Sequence, residues 1–401
     1  MSMWQWQEIQ KLSWQELIIC FEMKITHIVE CAGGVERYLE MLVPRLKDKG
    51  ISQALVCSHS VNTDKLKDSV DKCFITDMRQ TFNPVAVIKI IHQVHIAITI
   101  SKPDIVYCHS SFAGVFGRIA AIGTHCKVVY NPHGWAFNMQ NTSSMKLRVF
   151  RTLEQLLAHF TDKIVCISEA EFESAIDKNI SSEDKLELIP NGIDIDAVRS
   201  AIAVKRSHLG IADDAFVVGM IGRLSAQKAP DVFIRAAEII HKEIPNSAFI
   251  IVGDGEQREE IETFAQQHGL HLVVTGWTDK PYSYLKAFDV AVLLSRWEGF
   301  GLAIVEYMAA EKNVVATRAD AIPSLIEDSE DGFLVDIDNP EQAADKVLWL
   351  RNHPNEAEEM RQKALRKIKS KFDINRVVKQ HIDMFKKLIP MGETVRELQR
   401  S

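Results

Sequence analysis

From Met23 onward, the chain alternates short apolar runs with longer segments in which apolar residues recur every three or four positions. The short runs predict buried β-strands, and the longer segments predict amphipathic α-helices. In the first half the predicted strands are 23–29, 51–57, 104–109, 126–131, 163–167 and 185–190, and the predicted helices are 35–48, 84–100, 113–122, 145–160 and 169–178. Such alternation is typical of βαβ units around a mostly parallel sheet.

The same alternation begins again after 193–212, a stretch without a clear strand. The second set has predicted strands at 216–222, 248–252, 271–275, 289–294, 313–317 and 333–336, and predicted helices at 229–243, 256–268, 301–310, 340–351, 355–370 and 373–389. We therefore predict an α/β protein with an extension at 1–22, one Rossmann-like domain at 23–195, another at 196–372, and a final helix and tail at 373–401. Two such domains joined end to end favour a ligand-binding cleft between them.

Length, composition and charge agree with this division. A chain of 401 residues exceeds one ordinary core, and 46% hydrophobic with 25% charged residues is typical of a globular protein. The net charge of −7 argues against a general nucleic-acid-binding protein. Seven cysteines without a C-x-x-C pair predict free thiols in a reducing cytoplasm, and no apolar run looks long enough to cross a bilayer.

Residues 1–22 differ from the rest, because they combine three tryptophans with several aliphatic residues and few positive charges. They lack the basic start and apolar core of a signal peptide. An interfacial amphipathic helix and extra sequence ahead of a natural start at Met23 both remain open.

Two carboxylates stand at a predicted strand-to-helix junction. Glu298 lies in the turn after strand 289–294, and Glu306 lies about two helical turns further on. Backbone N–H groups freed of side-chain bulk at Gly299 and Gly301 suit a phosphate, whereas carboxylates suit hydroxyl groups. A nucleotide sugar offers both groups. The alternative is a helix-start residue at Glu298 and a solvated residue at Glu306.

Two cations follow the first strand of the second half. Arg223 and Lys228 lie in the segment Gly222–Pro230, between a strand end and a helix start. Two positive side chains beside a helix N-terminus could hold a diphosphate without a metal ion. Two solvated surface cations are the alternative.

Three further glycine-containing turns follow predicted strands. They contain Gly33 and Gly34, then Gly253, Asp254 and Gly255, and then Gly276 and Trp277. Glycine lets the backbone approach a ligand, so the first turn suits a phosphate and the others suit a nucleotide base. Each is also compatible with a plain tight turn. The sequence G-x-G-x-x-G is absent, which disfavours a nicotinamide dehydrogenase.

Histidines and aspartates give weaker signals. His133, in the sequence Pro-His-Gly-Trp, could bind a sugar hydroxyl or polarise a reacting group, and His109 ends another strand; either could simply be packed. The triplets Asp194-Ile195-Asp196 and Asp336-Ile337-Asp338 could hold a divalent cation, but we interpret them as turn or cap residues. Helix 145–160 carries basic residues beside an apolar stripe, which suits either an anionic membrane surface or a core helix.

Taken together, these motifs resemble the retaining glycosyltransferases of family 4, which have the GT-B fold: two Rossmann-like domains that face each other across a cleft, and a C-terminal helix that crosses back. The resemblance covers Met23 to about Leu388. It rests on E-x7-E at 298–306, the Gly222-Arg223-Leu-Ser-Ala-Gln-Lys228 segment, Gly253-Asp-Gly255, Pro190-Asn-Gly-Ile-Asp194, Gly33-Gly34-Val-Glu36 and His133-Gly134.

The resemblance implies a role for each motif. The donor, a nucleotide-diphospho-sugar, would lie mainly on the C-terminal domain and the acceptor on the N-terminal domain. Arg223 and Lys228 would hold the diphosphate in place of a metal, so no cofactor is expected. Glu306 would receive the ribose hydroxyls, and Glu298 with the backbone of Phe300, Gly301 and Leu302 would meet the sugar and phosphate. Gly34 would approach the phosphate, His133 would touch the sugar, and His109 and Asn191 would lie on the acceptor side.

The His133–Phe137 segment, H-G-W-A-F, resembles members that build bacterial capsule, exopolysaccharide or O-antigen on a lipid-diphosphate carrier. This implies transfer from a UDP-sugar to a glycan or polyprenyl-diphosphate-linked acceptor, in the cytoplasm or at the inner-membrane surface. Because no carboxylate is obviously placed as a nucleophile, we expect front-face transfer with retention. The alternatives are a nucleotide-sugar 2-epimerase of the same fold and a non-catalytic nucleotide-sugar-binding protein.

Overall fold

Two parallel β-sheets form the framework of the protein in its computed structural model, which describes residues 23–31, 33–139 and 142–389. The extension at 1–22 and the end of the tail lie outside the described residues. The chain divides into two compact units. The first comprises the described residues up to Ile167, Phe172–Ile189 and those from Val377 on; the second comprises Ser168–Glu171 and Pro190–Arg376.

The first sheet has seven described strands, in the order β3-β2-β1-β4-β5-β6-β7. They are β1 Lys24–Val29, β2 Ser52–Ser58, β3 Lys72–Thr76, β4 Ile105–His109, β5 Lys127–Asn131, β6 Lys163–Cys166 and β7 Leu186–Leu188. The helices up to that point are α1 Gly34–Asp48, α2 Pro84–Ser101, α3 Ser111–Ala120, α4 Ser144–Leu157 and α5 Glu169–Asp177. Every adjacent pair of strands is parallel, and β1 lies between β2 and β4. In this register Lys24 pairs with Ser52 of β2, and Ile25 pairs with Ile105 of β4.

The second sheet has six described strands, in the order β10-β9-β8-β11-β12-β13. They are β8 Phe216–Ile221, β9 Ser247–Val252, β10 Leu272–Val274, β11 Val290–Leu293, β12 Asn313–Thr317 and β13 Phe333–Val335. The remaining helices are α6 Ile195–Ser200, α7 Pro230–Glu243, α8 Arg258–Gln267, α9 Pro281–Leu285, α10 Leu302–Ala309, α11 Ile322–Leu325, α12 Pro340–Asn352, α13 Pro354–Lys371 and α14 Ile374–Leu388. The residues of α14 from Val377 on belong to the first unit.

Each sheet has a topological switch point. The chain runs outward from β1 to β3 and then returns to the other side of β1 with β4; β8 and β11 repeat this arrangement. In open parallel sheets, ligands bind beyond the carboxyl ends of the strands at such a reversal. The segments after β1, β4, β8 and β11 are therefore where each unit is expected to hold a ligand.

Each unit has its own hydrophobic core between its sheet and helices. Ile28, Val106 and Phe116 belong to the core of the first unit, and Phe249 and Val292 belong to that of the second. Apart from the edge strands β3, β7 and β10, the strands are largely buried, which is why they appear in the sequence as nearly continuous apolar runs.

Some elements differ from the sequence predictions. Strand β3 was not predicted, because it is an edge strand whose side chains are mostly exposed and therefore gives no apolar run. The short helices α6, α9 and α11 were also missed, since four to six residues are too few to show a helical period.

One further prediction was wrong. Helix α2 is long and apolar enough to cross a membrane by its length and composition, with a mean hydropathy of 1.5, although no such stretch was expected. Its buried residues, among them Ile90 and Val94, pack into the core of the first unit, and its other faces are mostly exposed.

Candidate active site

The second unit brings Lys228 and Glu298 together at its switch point. The segment 222–229, called the lysine loop, follows β8, and the segment 294–301, called the glutamate loop, follows the neighbouring strand β11. The ammonium group of Lys228 forms an ion pair with the Glu298 carboxylate, and both side chains are largely buried, at 19% and 8% exposure. The Ser295 hydroxyl donates to the same carboxylate oxygen at 2.8 Å.

Arg296 of the glutamate loop connects this loop to the lysine loop by hydrogen bonds. Its backbone N–H donates to the carbonyl of Gln227 at 2.8 Å, and its guanidinium donates to the carbonyl of Ala226 at 2.9 Å. The same guanidinium forms ion pairs with Asp231, at the start of α7, and with Asp338. Asp338, from the second aspartate triplet, is therefore a partner of an arginine. Asp194, from the first triplet, caps α6 through the N–H of Ala197.

The backbone around Glu298 is held by a residue that the sequence did not single out. Asp320, in the turn after β12, accepts the Glu298 N–H at 2.9 Å. Burial raises the pKa of the Asp320 carboxyl, and the nearby charge of Glu298 adds to that effect. Asp320 has a positive φ of 38°. A strained backbone that is held in place beside a paired carboxylate is a feature of functional sites.

Helix α10 places Glu306 in the interior. Its side chain is 1% exposed, and its carboxylate accepts a hydrogen bond from the Tyr282 hydroxyl at 3.1 Å. A solvated role for Glu306 is thereby excluded. The N-terminus of the same helix follows Gly301, whose φ of 93° lies in the left-handed region. Phe300 is buried against Phe372, which leaves the backbone of Phe300, Gly301 and Leu302 as the polar part of this turn.

Arg223 does not join the Lys228–Glu298 pair. Its side chain is 74% exposed, and its Nε lies 3.6 Å from the Glu256 carboxylate. Gly222 lies directly beside Lys228, since a Cβ at Gly222 would be 3.4 Å from the lysine Cγ. The two cations of the lysine loop thus have different surroundings, one pre-paired and largely buried, the other exposed.

The Gly253-Asp254-Gly255 turn lies directly against the lysine loop. A Cβ at Gly253 would lie 2.0 Å from the carbonyl oxygen of Gly222, and one at Gly255 would lie 2.3 Å from that of Leu224. These two glycines are therefore required by backbone contact. Asp254 forms an ion pair with Arg258 at 3.0 Å, near Gly276, and Trp277 is largely exposed.

In the first unit, His109 and His133 belong to one row of hydrogen-bonded histidines. His109 Nδ1 and His133 Nε2 are 3.2 Å apart, and His109 Nε2 is 3.1 Å from Nδ1 of His27. His27 Nε2 is 3.1 Å from the side-chain oxygen of Gln53. Neither His27 nor Gln53 was expected at a site; a polar residue inside an apolar strand was the available signal.

Burial keeps this row of histidines neutral. It lowers the pKa of His27 to about 4 and that of His133 to about 3, and it also lowers the pKa of His109 well below the usual value. Tyr38 packs edge-on against His133, and its hydroxyl is hydrogen-bonded to His381 of α14 at 2.9 Å.

The remaining predicted residues belong to neither the Lys228–Glu298 pair nor the row of histidines. Gly33, with a φ of 90°, precedes α1 and donates its N–H to Glu36 at 3.3 Å, and the exposed Gly34 begins that helix. Asn191 belongs to the second unit, and its buried side-chain oxygen has no hydrogen-bond partner among the described residues. Glu30, missed by the sequence analysis, accepts the N–H of Ala113 near the start of α3 at 3.2 Å.

Comparisons with known proteins match this arrangement. The sequence profile of Glycosyltransferase Family 4 matches residues 32–197, and that of Glycosyl transferases group 1 matches residues 202–367. An Escherichia coli protein, UDP-Gal:alpha-D-GlcNAc-diphosphoundecaprenol alpha-1,3-galactosyltransferase, is 32% identical over 332 residues, which is 79% of this chain and 85% of that protein. The chain belongs to glycosyltransferase family 4. The membership and the enzyme class predicted from the motifs are thereby confirmed.

Further relatives and solved structures agree. The Staphylococcus aureus capsular polysaccharide biosynthesis glycosyltransferase CapM is 24% identical to this glycosyltransferase over 281 residues, covering 68% of this chain and 73% of that protein. Anabaena HepE, crystallised with UDP and glucose, superposes with a TM-score of 0.78 at 23% identity and covers 91% of this chain and 100% of its own. The two parallel-sheet Rossmann-like units are those of the predicted GT-B fold, which is confirmed.

Proposed function

We propose that this glycosyltransferase moves a sugar, with retention of configuration, from a UDP-sugar to a lipid-diphosphate-linked glycan during bacterial surface polysaccharide synthesis. The observation that carries the proposal is the largely buried Lys228–Glu298 pair at the switch point, beside the N-terminus of α10. The relatives support the chemistry: the Escherichia coli protein is named for a UDP-galactose donor and a diphosphoundecaprenol acceptor, and HepE was crystallised with UDP.

The proposed mechanism assigns a charge role to each loop. As the glycosidic bond breaks, negative charge develops on the departing diphosphate, and a fixed cation stabilises it most where water is excluded. Lys228 meets this requirement, the backbone N–H groups at the start of α10 add neutral donors, and the exposed Arg223 adds a second cation. The outgoing phosphate would take the acceptor proton on the same face of the sugar. We expect no divalent cation to be needed.

A screen of nucleotide sugars tests this proposal. We expect UDP-sugars to raise the Tm of the full chain more than GDP- or dTDP-sugars at equal concentration, because a ligand that binds the folded state stabilises it by mass action. The best donor is then incubated with a polyprenyl-diphosphate-linked sugar, with and without EDTA, and the product anomer is read by NMR. Inversion of configuration, or a 2-epimerised donor formed without acceptor, would contradict the proposal.

We further propose that the first unit binds the anionic cytoplasmic face of a membrane, where a lipid-linked acceptor resides. Exposed apolar side chains lie on and beside α2 and α4, and we call them the apolar face: Phe82, Val85, Ile88, Met145 and Val149. The ring centroids of Phe82, just before α2, and Phe150 on α4 are 6.1 Å apart, so the two helices are neighbours there. Exposed Lys146 and Arg148 on α4 supply charge complementary to anionic lipid.

A cytoplasmic location agrees with the reduced state of the described cysteines. The six described cysteines are free thiols, and Cys57, Cys108 and Cys166 among them are buried. Burial raises the pKa of the Cys108 thiol to about 12, which keeps it protonated and unreactive. Such thiols are typical of a reducing compartment.

A further inference from the structure

In the row of histidines of the first unit, Gln53 determines which nitrogen of each ring donates and which accepts. The Gln53 amide nitrogen lies 2.9 Å from the carbonyl oxygen of Val43 and 3.4 Å from that of Ser69, so it donates to them. A reversed amide would place its oxygen against two carbonyl oxygens. The side-chain oxygen of Gln53 therefore faces His27 and can only accept.

The tautomer of each histidine determines the tautomer of the next. His27 must donate from Nε2 to the Gln53 oxygen, and a neutral imidazole has only one N–H. His27 Nδ1 is consequently an acceptor, so the N–H of His109 lies on Nε2 and points to His27. By the same step, His109 Nδ1 accepts, and the N–H of His133 lies on Nε2. The lone pair of His133 is thus left on Nδ1.

His133 is placed to use that lone pair. It follows β5 with a positive φ of 50°, a conformation uncommon for a residue with a side chain. Its backbone N–H donates to the Asn131 side-chain oxygen at 3.0 Å, and the residue is partly exposed. Within 23–31, 33–139 and 142–389, no residue donates a hydrogen bond to its Nδ1. The acceptor atom is fixed in direction before any ligand arrives.

We propose that Gln53, His27 and His109 are positioning residues that fix the Nε2–H tautomer of His133, so that its Nδ1 accepts a hydrogen bond from a hydroxyl group of the substrate. The identity of the ligand as a sugar rests on the proposed function, whereas the tautomer does not. In this state the His133 proton lies on Nε2 and Nδ1 carries none, so Nδ1 selects for a hydroxyl donor at that position and cannot act as a general acid. A site that requires a hydroxyl proton discriminates against analogues without one.

Nitrogen NMR of the full chain tests the tautomer directly. With ¹⁵N-labelled histidine at neutral pH, the signals of His133 are assigned by their loss in His133→Gln. We expect a pyrrole-type shift for Nε2 and a pyridine-type shift for Nδ1. A proton on Nδ1 would overturn the proposal, and this measurement on the natural sequence does not depend on the folding of a variant.

Two matched glutamine variants test whether Gln53 fixes the tautomer of His133 through His27 and His109. Gln53→Met removes the terminal acceptor at nearly constant volume, so the His133 shifts should move toward the average of the two tautomers. Gln93→Met removes an amide that instead binds Asp77 at 3.1 Å, and it should leave the His133 shifts unchanged. Unaltered His133 shifts in a folded Gln53→Met protein would refute the positioning role.

Substrate analogues then connect the tautomer to function. Donors in which one sugar hydroxyl is replaced by fluorine, which cannot donate, are compared one position at a time. At one position we expect kcat/KM to fall by about tenfold, the scale of a single hydrogen bond, and we expect this loss to shrink in Gln53→Met. An equal loss in both proteins would contradict the proposal. If the natural chain transfers no sugar, the proposed function fails. The NMR shifts still show whether Gln53 fixes the tautomer of His133.

Discussion

At the scale of single residues, the Lys228–Glu298 pair explains how a positive charge is kept ready in a largely buried position. An isolated buried ammonium group would be costly, and the Glu298 carboxylate compensates for its desolvation. The Ser295 hydroxyl in turn donates a hydrogen bond to that carboxylate. A diphosphate would meet a lysine that is already desolvated and oriented. The exposed Arg223 lacks both advantages, so we expect Lys228 to contribute more to catalysis.

Lys228→Ala should lower kcat/KM by about 10²-fold or more, because it removes a fixed donor to the leaving group. The matched control is Lys242→Ala, which removes a lysine paired with Glu238 on the outside of α7 and should leave transfer unchanged. The rate is measured with the donor selected by the screen.

Loss of Lys228 also leaves a buried carboxylate without its partner, so stability needs a separate check. The double variant Lys228→Ala with Glu298→Gln removes that charge and should recover most of any loss in Tm, while activity stays low. Activity near the natural rate in Lys228→Ala would rule out its role on the diphosphate.

At the scale of elements, the site is two strand-end loops that act as one because Arg296 bonds to both. Its guanidinium binds Ala226 and Asp231, which precede it in the sequence, and also Asp338, which follows it. The planar, five-donor group can serve several acceptors at fixed angles, which a lysine cannot do. We therefore assign Arg296 a structural function in keeping Lys228 opposite Glu298.

Arg296→Leu should lower the free energy of unfolding by about 2 kcal/mol, the scale of a charged hydrogen bond left unmade, and the Tm of the second unit by about 4–8 °C. Thermal unfolding measures this change. Arg361→Leu, which breaks an exposed pair with Glu358 on α13, should shift Tm by less than about 2 °C. Equal shifts in the two variants would count against the role of Arg296.

The alternating pattern of the sequence predicted most strands and long helices, because strands buried on both faces give unbroken apolar runs. The edge strand β3 was not predicted, because its side chains are mostly exposed and give no apolar run. Motif residues were located correctly at strand ends, and Lys228 and Glu298 proved to be in contact. The partners Arg296, Asp320 and Gln53 could not be found, since each acts through residues distant in sequence and belongs to no local motif.

At the scale of the whole molecule, packing in a core does not explain the apolar face of the first unit. Val85 and Met145 are 77% and 76% exposed, although both are apolar. Exposed apolar side chains grouped on two helices, with exposed positive charges on one of them, are typical of a site of association. If the acceptor is lipid-linked as proposed, adsorption to the membrane would restrict the search for that acceptor to two dimensions.

Val85→Glu combined with Met145→Glu should weaken adsorption to vesicles that contain anionic phospholipid, because it replaces apolar contact with repulsion. Lys146→Glu should weaken it further, by about 1 kcal/mol or more. Sedimentation with anionic and zwitterionic vesicles at two salt concentrations measures the effect. Ile202→Glu, at an exposed apolar residue of the second unit, is the matched control and should change nothing. Equal adsorption of all variants would disprove the surface assignment.

The backbone contact between the Gly253–Gly255 turn and the lysine loop also limits how this enzyme can be engineered. Any side chain at Gly253 would have to displace the main chain that carries Lys228, so a randomised library at 253 and 255 should return almost only glycine among active clones. Diversity in donor preference is better sought where a new side chain meets open solvent, as at the exposed Trp277.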